Sequence, residues 1–128
     1  MRVTLAYDRT GIDVEIHHKN VVGPLEIHAV EPISDPIATI AAKLASPTGT
    51  KPLAELAQGR NSCCIVICDI TRPVPNRLIA EAMLPILEGA GIARNEIFFL
   101  VATGMHRPST DAEKREMLGE EIVANYRV

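Results

Sequence analysis

Two short polar stretches hold the residue types that do chemistry: Asp69-Ile70-Thr71-Arg72-Pro73 and Thr103-Gly104-Met105-His106-Arg107-Pro108. Arg72 offers a planar fork of donors matched to a carboxylate or a phosphate. His106 carries an imidazole, whose ordinary pKa of about 6.5 suits proton transfer at neutral pH. Asp69 can orient either of these or accept a bond from a ligand hydroxyl. Thr71 and Thr103 supply short hydroxyls, and Gly104 permits a tight turn or a close backbone approach. Each group also has a plain structural use. Asp69 and Thr71 can cap a turn, Arg72 can pair with Asp69, and Arg107 serves equally well as a binding cation or as half of an ion pair.

The elements around the stretches decide whether they meet. Cys63 to Cys68 is a near-continuous apolar run, as a buried strand requires, and Glu96 to Ala102 holds a second, Ile97-Phe98-Phe99-Leu100-Val101. Between them the spacing predicts a helix from Pro75 or Asn76 to Glu88, with Leu78, Ile79, Ala82, Met83, Ile86 and Leu87 on its buried face. Gly89 and Gly91 end it, and Pro85 should kink or break it. A βαβ crossover leaves both strands parallel, about 4.8 Å apart, with their carboxyl ends on one edge. Ligands of open α/β sheets bind there, beside the amino termini of the following helices, whose N–H groups attract anions. The two polar loops are therefore expected to form one wall of a site.

Upstream, Val3 to Tyr7, Ile12 to His17 and Val21 to His28 alternate like strands and are separated by the turn formers Asp8-Arg9-Thr10-Gly11 and His18-Lys19-Asn20. Ser34 or Asp35 can cap a helix opening on Pro36, with Ile37, Ile40, Ala41 and Leu44 on one face and Pro47 and Gly49 as its stop. A short helix spans Pro52 to Gln58 before Gly59. Downstream, Thr110-Asp111-Ala112-Glu113 has capping-box spacing, and a further helical stretch follows Gly119. The last residues, Tyr126-Arg127-Val128, suggest no element that closes the sheet. The fold class is α/β: a parallel βαβ core in Rossmann-like layers with an N-terminal antiparallel β ribbon, read as one domain over residues 1–128.

Composition narrows the function. With 47% apolar residues and a formal charge of -3, the chain has a core to bury and no basic face for nucleic acid or an anionic membrane. Met1 to Tyr7 lacks the apolar block of a signal peptide, and no run approaches the roughly 20 apolar residues of a membrane span, so a cytoplasmic protein is expected. Cys63, Cys64 and Cys68 read as small buried hydrophobes of a strand rather than as metal ligands. His17, His18 and His28 have no Cys, Asp or Glu at ligand spacing, so no metal site is expected in this chain. Arg77 reads as a solvated helix residue. Neither strand is followed by G-x-G-x-x-G, and no Walker loop occurs, which disfavours a dinucleotide dehydrogenase or P-loop enzyme.

The pair Asp69-Ile70-Thr71-Arg72-Pro73 and Ala102-Thr103-Gly104-Met105-His106-Arg107-Pro108 closely resembles the D-x-T-R-P and A-T-G-x-H-R-P motifs of the N-terminal domain of the nickel-dependent lactate racemase family. The likeness extends to the Asp35-Pro36 helix, to Pro52-Leu53-Ala54-Glu55-Leu56-Ala57 and to Gly119-Glu120-Glu121-Ile122-Val123. It implies a two-domain enzyme with its site between the domains. The implied reaction is racemisation or epimerisation of a small 2-hydroxy acid, by reversible hydride transfer from Cα to a nickel pincer nucleotide (nickel pyridinium-3,5-bisthiocarboxylate mononucleotide). Carried over by position, His106 resembles one of two acid/base histidines. Asp69, Ile70, Thr71 and Arg72 resemble the loop that contacts the cofactor nucleotide, with Arg72 also near the substrate.

The resemblance puts the second histidine, the lysine that carries the cofactor and a further nickel ligand beyond Val128. The chain is thus expected to be part of a longer enzyme, either an excised domain or a truncated product. Alone it is expected to bind no nickel and racemise nothing. Two other readings compete. One is a stand-alone nucleotide- or carboxylate-binding α/β module built on Arg72. The other is a hydrolase with His106 as base, which lacks a suitable nucleophile: Ser109 leads into the capping box and the cysteines lie in a strand.

Overall fold

Alternation of short polar and apolar residues around a tight turn makes the amino-terminal ribbon. In the computed structural model, which describes residues 1–22 and 27–128, the chain forms two compact units, Met1–Pro32 and Ile33–Val128. In the first, strands β1 (Arg2–Leu5) and β2 (Ile12–Glu15) pair antiparallel, Arg2 opposite Glu15 and Leu5 opposite Ile12. Asp13 gathers Arg2 and Thr4 across the pair at 2.5 and 2.6 Å, and the Gly11 N–H closes the turn on the Tyr7 carbonyl at 2.8 Å. The expected third strand, Val21 to His28, runs across residues 23–26, which lie outside the described residues. Its described ends, Val21–Val22 and Ile27–His28, are in no strand.

The second unit begins with α1 (Pro36–Ala45), where Asp35 accepts the Ala38 N–H at 2.9 Å and Pro36 sits at the first position. The short α2 (Leu53–Ala57) leads into β3 (Cys63–Cys68). Helix α3 (Asn76–Gly89) crosses to β4 (Ile97–Ala102), and the strands pair in parallel from Cys63 opposite Ile97 to Cys68 opposite Ala102. Helices α4 (Asp111–Leu118) and α5 (Glu120–Asn125) follow, joined at Gly119. Gly119 has φ +84°, a conformation L side chains rarely adopt, so this corner favours glycine; a Cβ there would also stand 3.3 Å from the Arg77 side chain, which is exposed and can yield. Arg77 itself is exposed and pairs with Glu81 one helical turn on.

One side of the strand pair holds the core. Ile65, Ile67, Ile97 and Phe99 pack with Ala80, Leu84 and Leu87 of α3, Met117 and Leu118 of α4, and Ile122 of α5. Leu87, Ile97 and Leu118 are fully enclosed, and burying each contributes roughly 1.5–3 kcal/mol.

Several sequence expectations change here. The buried residues of α3 are Asn76, Ala80, Ala82, Leu84 and Leu87, while Leu78, Ile79, Met83 and Ile86 are only partly covered. Ala80, Leu84 and Leu87 join the core against the strands, while Ala82 is buried outside that cluster, since α3 also packs against the other helices α1, α2 and α4. Pro85 does not break α3; its ring is on the exposed side, where water can serve the carbonyl left without a donor. Cys64 and Cys68 are exposed and Cys63 half-buried, rather than all buried. Parallel strands are normally covered on both faces, and this pair is covered on one.

The carboxyl-terminal residues also do more than expected. Arg127 bridges Phe98 in parallel, and its carbonyl accepts the Phe99 N–H at 2.9 Å, which starts a third strand beside β4. Tyr126 anchors it: its hydroxyl donates to Glu88 at 2.8 Å, its ring meets Phe99 edge-on, and the Arg94 guanidinium lies 5.5 Å from its centroid. No helix among the described residues is long and apolar enough to cross a membrane.

Candidate active site

Both polar loops leave the carboxyl ends of neighbouring parallel strands, and together they line a depression of about 290 Å³. Its walls include Asp69, Arg72, Thr103, Met105 and His106. Asp69, the first residue after β3, is 5% exposed. Its Oδ1 accepts the Thr71 N–H at 3.2 Å and the Thr71 hydroxyl at 2.7 Å, a side-chain turn that folds the loop back on itself. Its Oδ2 reaches across to the second loop and meets Nδ1 of His106 at 2.5 Å. These partners, with Thr71 the stronger, hold the Asp69 carboxyl down at about 2 against the opposing effect of burial.

A carboxylate ionised at any ordinary pH dictates the histidine's tautomer: Nδ1 carries the proton toward Asp69, and Nε2 keeps its lone pair when the ring is neutral. The ring is half exposed while its partner is not, 51% against 7% for the side chains. The loop beneath it is a tight turn in which the His106 N–H donates to the Thr103 carbonyl at 3.0 Å. Gly104 supplies the left-handed corner, φ +58°.

Arg72 is exposed, and no hydrogen bond or ion pair engages its guanidinium among the described residues. The alternative in which Arg72 pairs with Asp69 is not realised; the Asp69 oxygens serve Thr71 and His106 instead. Arg72 thus faces the depression as an available two-pronged donor. Ile70, between them, turns inward and packs on the core.

Arg107, open between two roles in the sequence, is an ion-pair residue. It grips Glu113 through Nη2 and Nη1 at 2.7 and 2.9 Å. Glu113 also accepts the Thr110 N–H at 2.8 Å, and Thr110 accepts the Glu113 N–H, so the expected capping box is complete. The box satisfies two of the donors at the start of α4, the Thr110 and Glu113 N–H groups, and the acidic Asp111 and Glu113 of its first turn disfavour an anion there. The start of α3 carries no side-chain cap. There Asn76, 5% exposed, donates Nδ2 to the Cys68 carbonyl at 3.4 Å and ties the helix to the strand end. Sequence reasoning treated Asn76 only as a helix start; a polar residue at the first position after two prolines is the signal that marks it. Cys68 and Met105 also line the depression without having been singled out. Among the described residues no three His, Cys, Asp or Glu side chains converge as a metal site; His17 and His18 merely stack, 4.7 Å apart.

Comparison with known proteins agrees with these motifs. Residues 7–128 match the family model described as the lactate racemase N-terminal domain. The lactate racemase of Lactiplantibacillus plantarum is 38% identical over 98% of this chain, which covers 30% of that protein. The lactate racemase of Thermoanaerobacterium thermosaccharolyticum is 38% identical over 64% of the chain and 19% of its own length. The solved structure of the lactate racemase apoprotein from that organism superposes on 99% of this chain with a TM-score of 0.73 at 26% identity, using 29% of its own length. The chain thus spans less than a third of the relatives it matches. On the family match, which takes in both polar loops and nearly all of the sequence, the chain belongs to the lactate racemase N-terminal domain family.

Proposed function

We propose that this chain is the amino-terminal part of a 2-hydroxy-acid racemase or epimerase and supplies one wall of its active site. The observation that carries this reading is the contact between Asp69 Oδ2 and His106 Nδ1. It leaves Nε2 as the acid/base atom facing the depression. Arg72 binds the substrate carboxylate with its two-pronged guanidinium, and His106 takes the proton from the 2-hydroxyl and returns it. Removing that proton raises electron density on the carbinol oxygen and weakens the Cα–H bond, so the base must lie within hydrogen-bond reach of the hydroxyl. Asp69 holds the imidazole in the productive tautomer, as a positioning residue.

The family resemblance implies a nickel pincer nucleotide. Bound, such a group supplies acceptance and return of the Cα hydride. The residues present fit one side of it. Arg72 is free to hold a phosphate or carboxylate oxygen, and the uncapped start of α3 lies in the same loop. Within the loop first assigned to the nucleotide, Asp69 is committed to Thr71 and His106, and Ile70 packs inward. Arg72 and the Thr71 oxygen are the contacts this loop retains for it. Metal ligands and a second acid/base group belong, on this reading, to polypeptide that this chain does not span.

The test is a chimera in which this chain replaces the matching segment of the Thermoanaerobacterium enzyme, assayed for lactate racemisation after cofactor loading. His106→Ala should lower kcat by about 100-fold or more. A variant with undiminished kcat would overturn the assignment.

A further inference from the structure

The strand pair is covered on one side only. Cys64, Val66 and Cys68 of β3 and Phe98, Leu100 and Ala102 of β4 alternate with the core residues and point to the opposite face. Val66 is 61% and Leu100 53% exposed, an unusual state for the centre of a parallel pair. The outer edge of β3 has no strand partner among the described residues. Beside it runs an apolar groove of about 320 Å³, lined on the helix side by Val74, Ile79 and Met83.

Topology explains which side is bare. Phe98 pairs with Cys64 on one edge and bridges Arg127 on the other, so the order across the sheet is β3, β4, Arg127. Both crossovers, through α3 and through α4 with α5, step in the same direction. Right-handed connections stepping one way put their helices on one face. A right-handed connection stepping the other way, to the free edge of β3, necessarily puts its helix on the opposite face.

We propose that the free edge of β3 and the bare face beside it form the docking surface for one strand–helix unit, a parallel strand on β3 with an apolar helix over Val66 and Leu100. The unit comes from the part of a racemase-length polypeptide outside this chain. This rests on the functional reading above, and on the relatives being more than three times as long as the segment matched. A second copy fits less well, because a two-fold axis at the β3 edge would pair the strands antiparallel. With the unit in place β3 becomes central and the sheet reverses direction beside it. The ligand crevice of such sheets opens at that reversal, outside the carboxyl ends. Here that is the position of Asp69 and Arg72, so the docked unit supplies the facing wall of the depression.

The cysteines report on it directly. In the isolated chain Cys64 and Cys68 should alkylate readily, while Cys63, on the covered face with its thiol pushed up by burial, should be slow. In the chimera with the remainder of the Thermoanaerobacterium enzyme, Cys64 and Cys68 should slow by at least about tenfold. Val66→Glu should leave the isolated chain folded and destabilise the chimera. The proposal is overturned if both thiols stay as reactive in the chimera, or if the isolated chain is a dimer with both protected. It is overturned equally if the chimera fails to fold while the chain alone is soluble. Lactate turnover is read separately: protected thiols without turnover sink the functional reading alone, and turnover with open thiols sinks the docking surface alone.

Discussion

Arg107 and Glu113 form a two-pronged ion pair at 2.7 and 2.9 Å that fastens the residue next to His106 to the first turn of α4. The same Glu113 completes the capping box with Thr110. The far end of the His106 loop and the helix start are therefore one structure. Thr110→Ala should lower stability by about 1 kcal/mol, measured by urea unfolding of the isolated chain. Arg107→Gln should act in the same direction and leave the affinity of the chimera for lactate unchanged. Weaker lactate binding with unchanged stability would return Arg107 to the binding wall.

Asp69→Asn removes the acceptor that fixes the His106 tautomer. In nitrogen-detected NMR of the wild-type chain at alkaline pH, the His106 proton should reside on Nδ1, and the variant should show a mixture of tautomers. In the chimera the variant should lose about 100-fold or more in kcat with little change in KM. Equal tautomer populations in the two proteins would remove Asp69 from its positioning role.

Acid should weaken the fold through the same groups. The Asp69 and Glu113 carboxyls sit near 2, depressed chiefly by Thr71 and by Arg107 respectively, whereas in the unfolded chain they titrate at about 4. A depressed folded pKa gives stability that is complete above the unfolded value and lost as pH falls through the folded one. Urea midpoints should therefore decline from about pH 4 toward pH 2, and Asp69→Asn or Glu113→Gln should flatten that decline. A decline as steep in both variants would place the acid sensitivity elsewhere.

Leucines at two depths separate the covered from the bare side of the sheet. Leu118 is fully buried and Leu100 half exposed. Leu118→Ala should cost about 2–5 kcal/mol, and Leu100→Ala in the isolated chain well under about 1 kcal/mol. Equal losses on calorimetry would mean that the outer face is already covered.

By itself the chain should bind no stoichiometric nickel and racemise no lactate, since on the proposed reading it supplies only one of two acid/base histidines, and no metal ligands converge among its described residues. Metal analysis of the purified chain and a chiral lactate assay check this. Stoichiometric nickel or clear turnover would place the whole site within these 128 residues.

What the sequence made legible was whatever rests on local signals. The Asp35 cap, the Thr110 to Glu113 box and the βαβ order follow from neighbouring residue types, and that order brought Asp69 and His106 to one edge. Contacts that depend on a third party stayed hidden. Arg72 lost Asp69 to Thr71 and His106, and Arg107 found Glu113 only because α4 turns back on its own loop. The cysteines and the inner face of α3 were misread for one reason: an apolar run says that a strand belongs in a two-sided core, and only the packing tells which side is filled. Arg127 was missed because three residues are too few to show a period.

The left-handed corner at Gly104 and the buried Asp69 together act on His106 from below and behind. A ring gripped at one nitrogen, on a loop closed by its own hydrogen bond, has little rotational freedom left to lose when a substrate arrives. On the function proposed above, that ordering entropy is settled when the chain folds rather than at each turnover, which leaves binding energy from the rest of the ligand for the bond being broken.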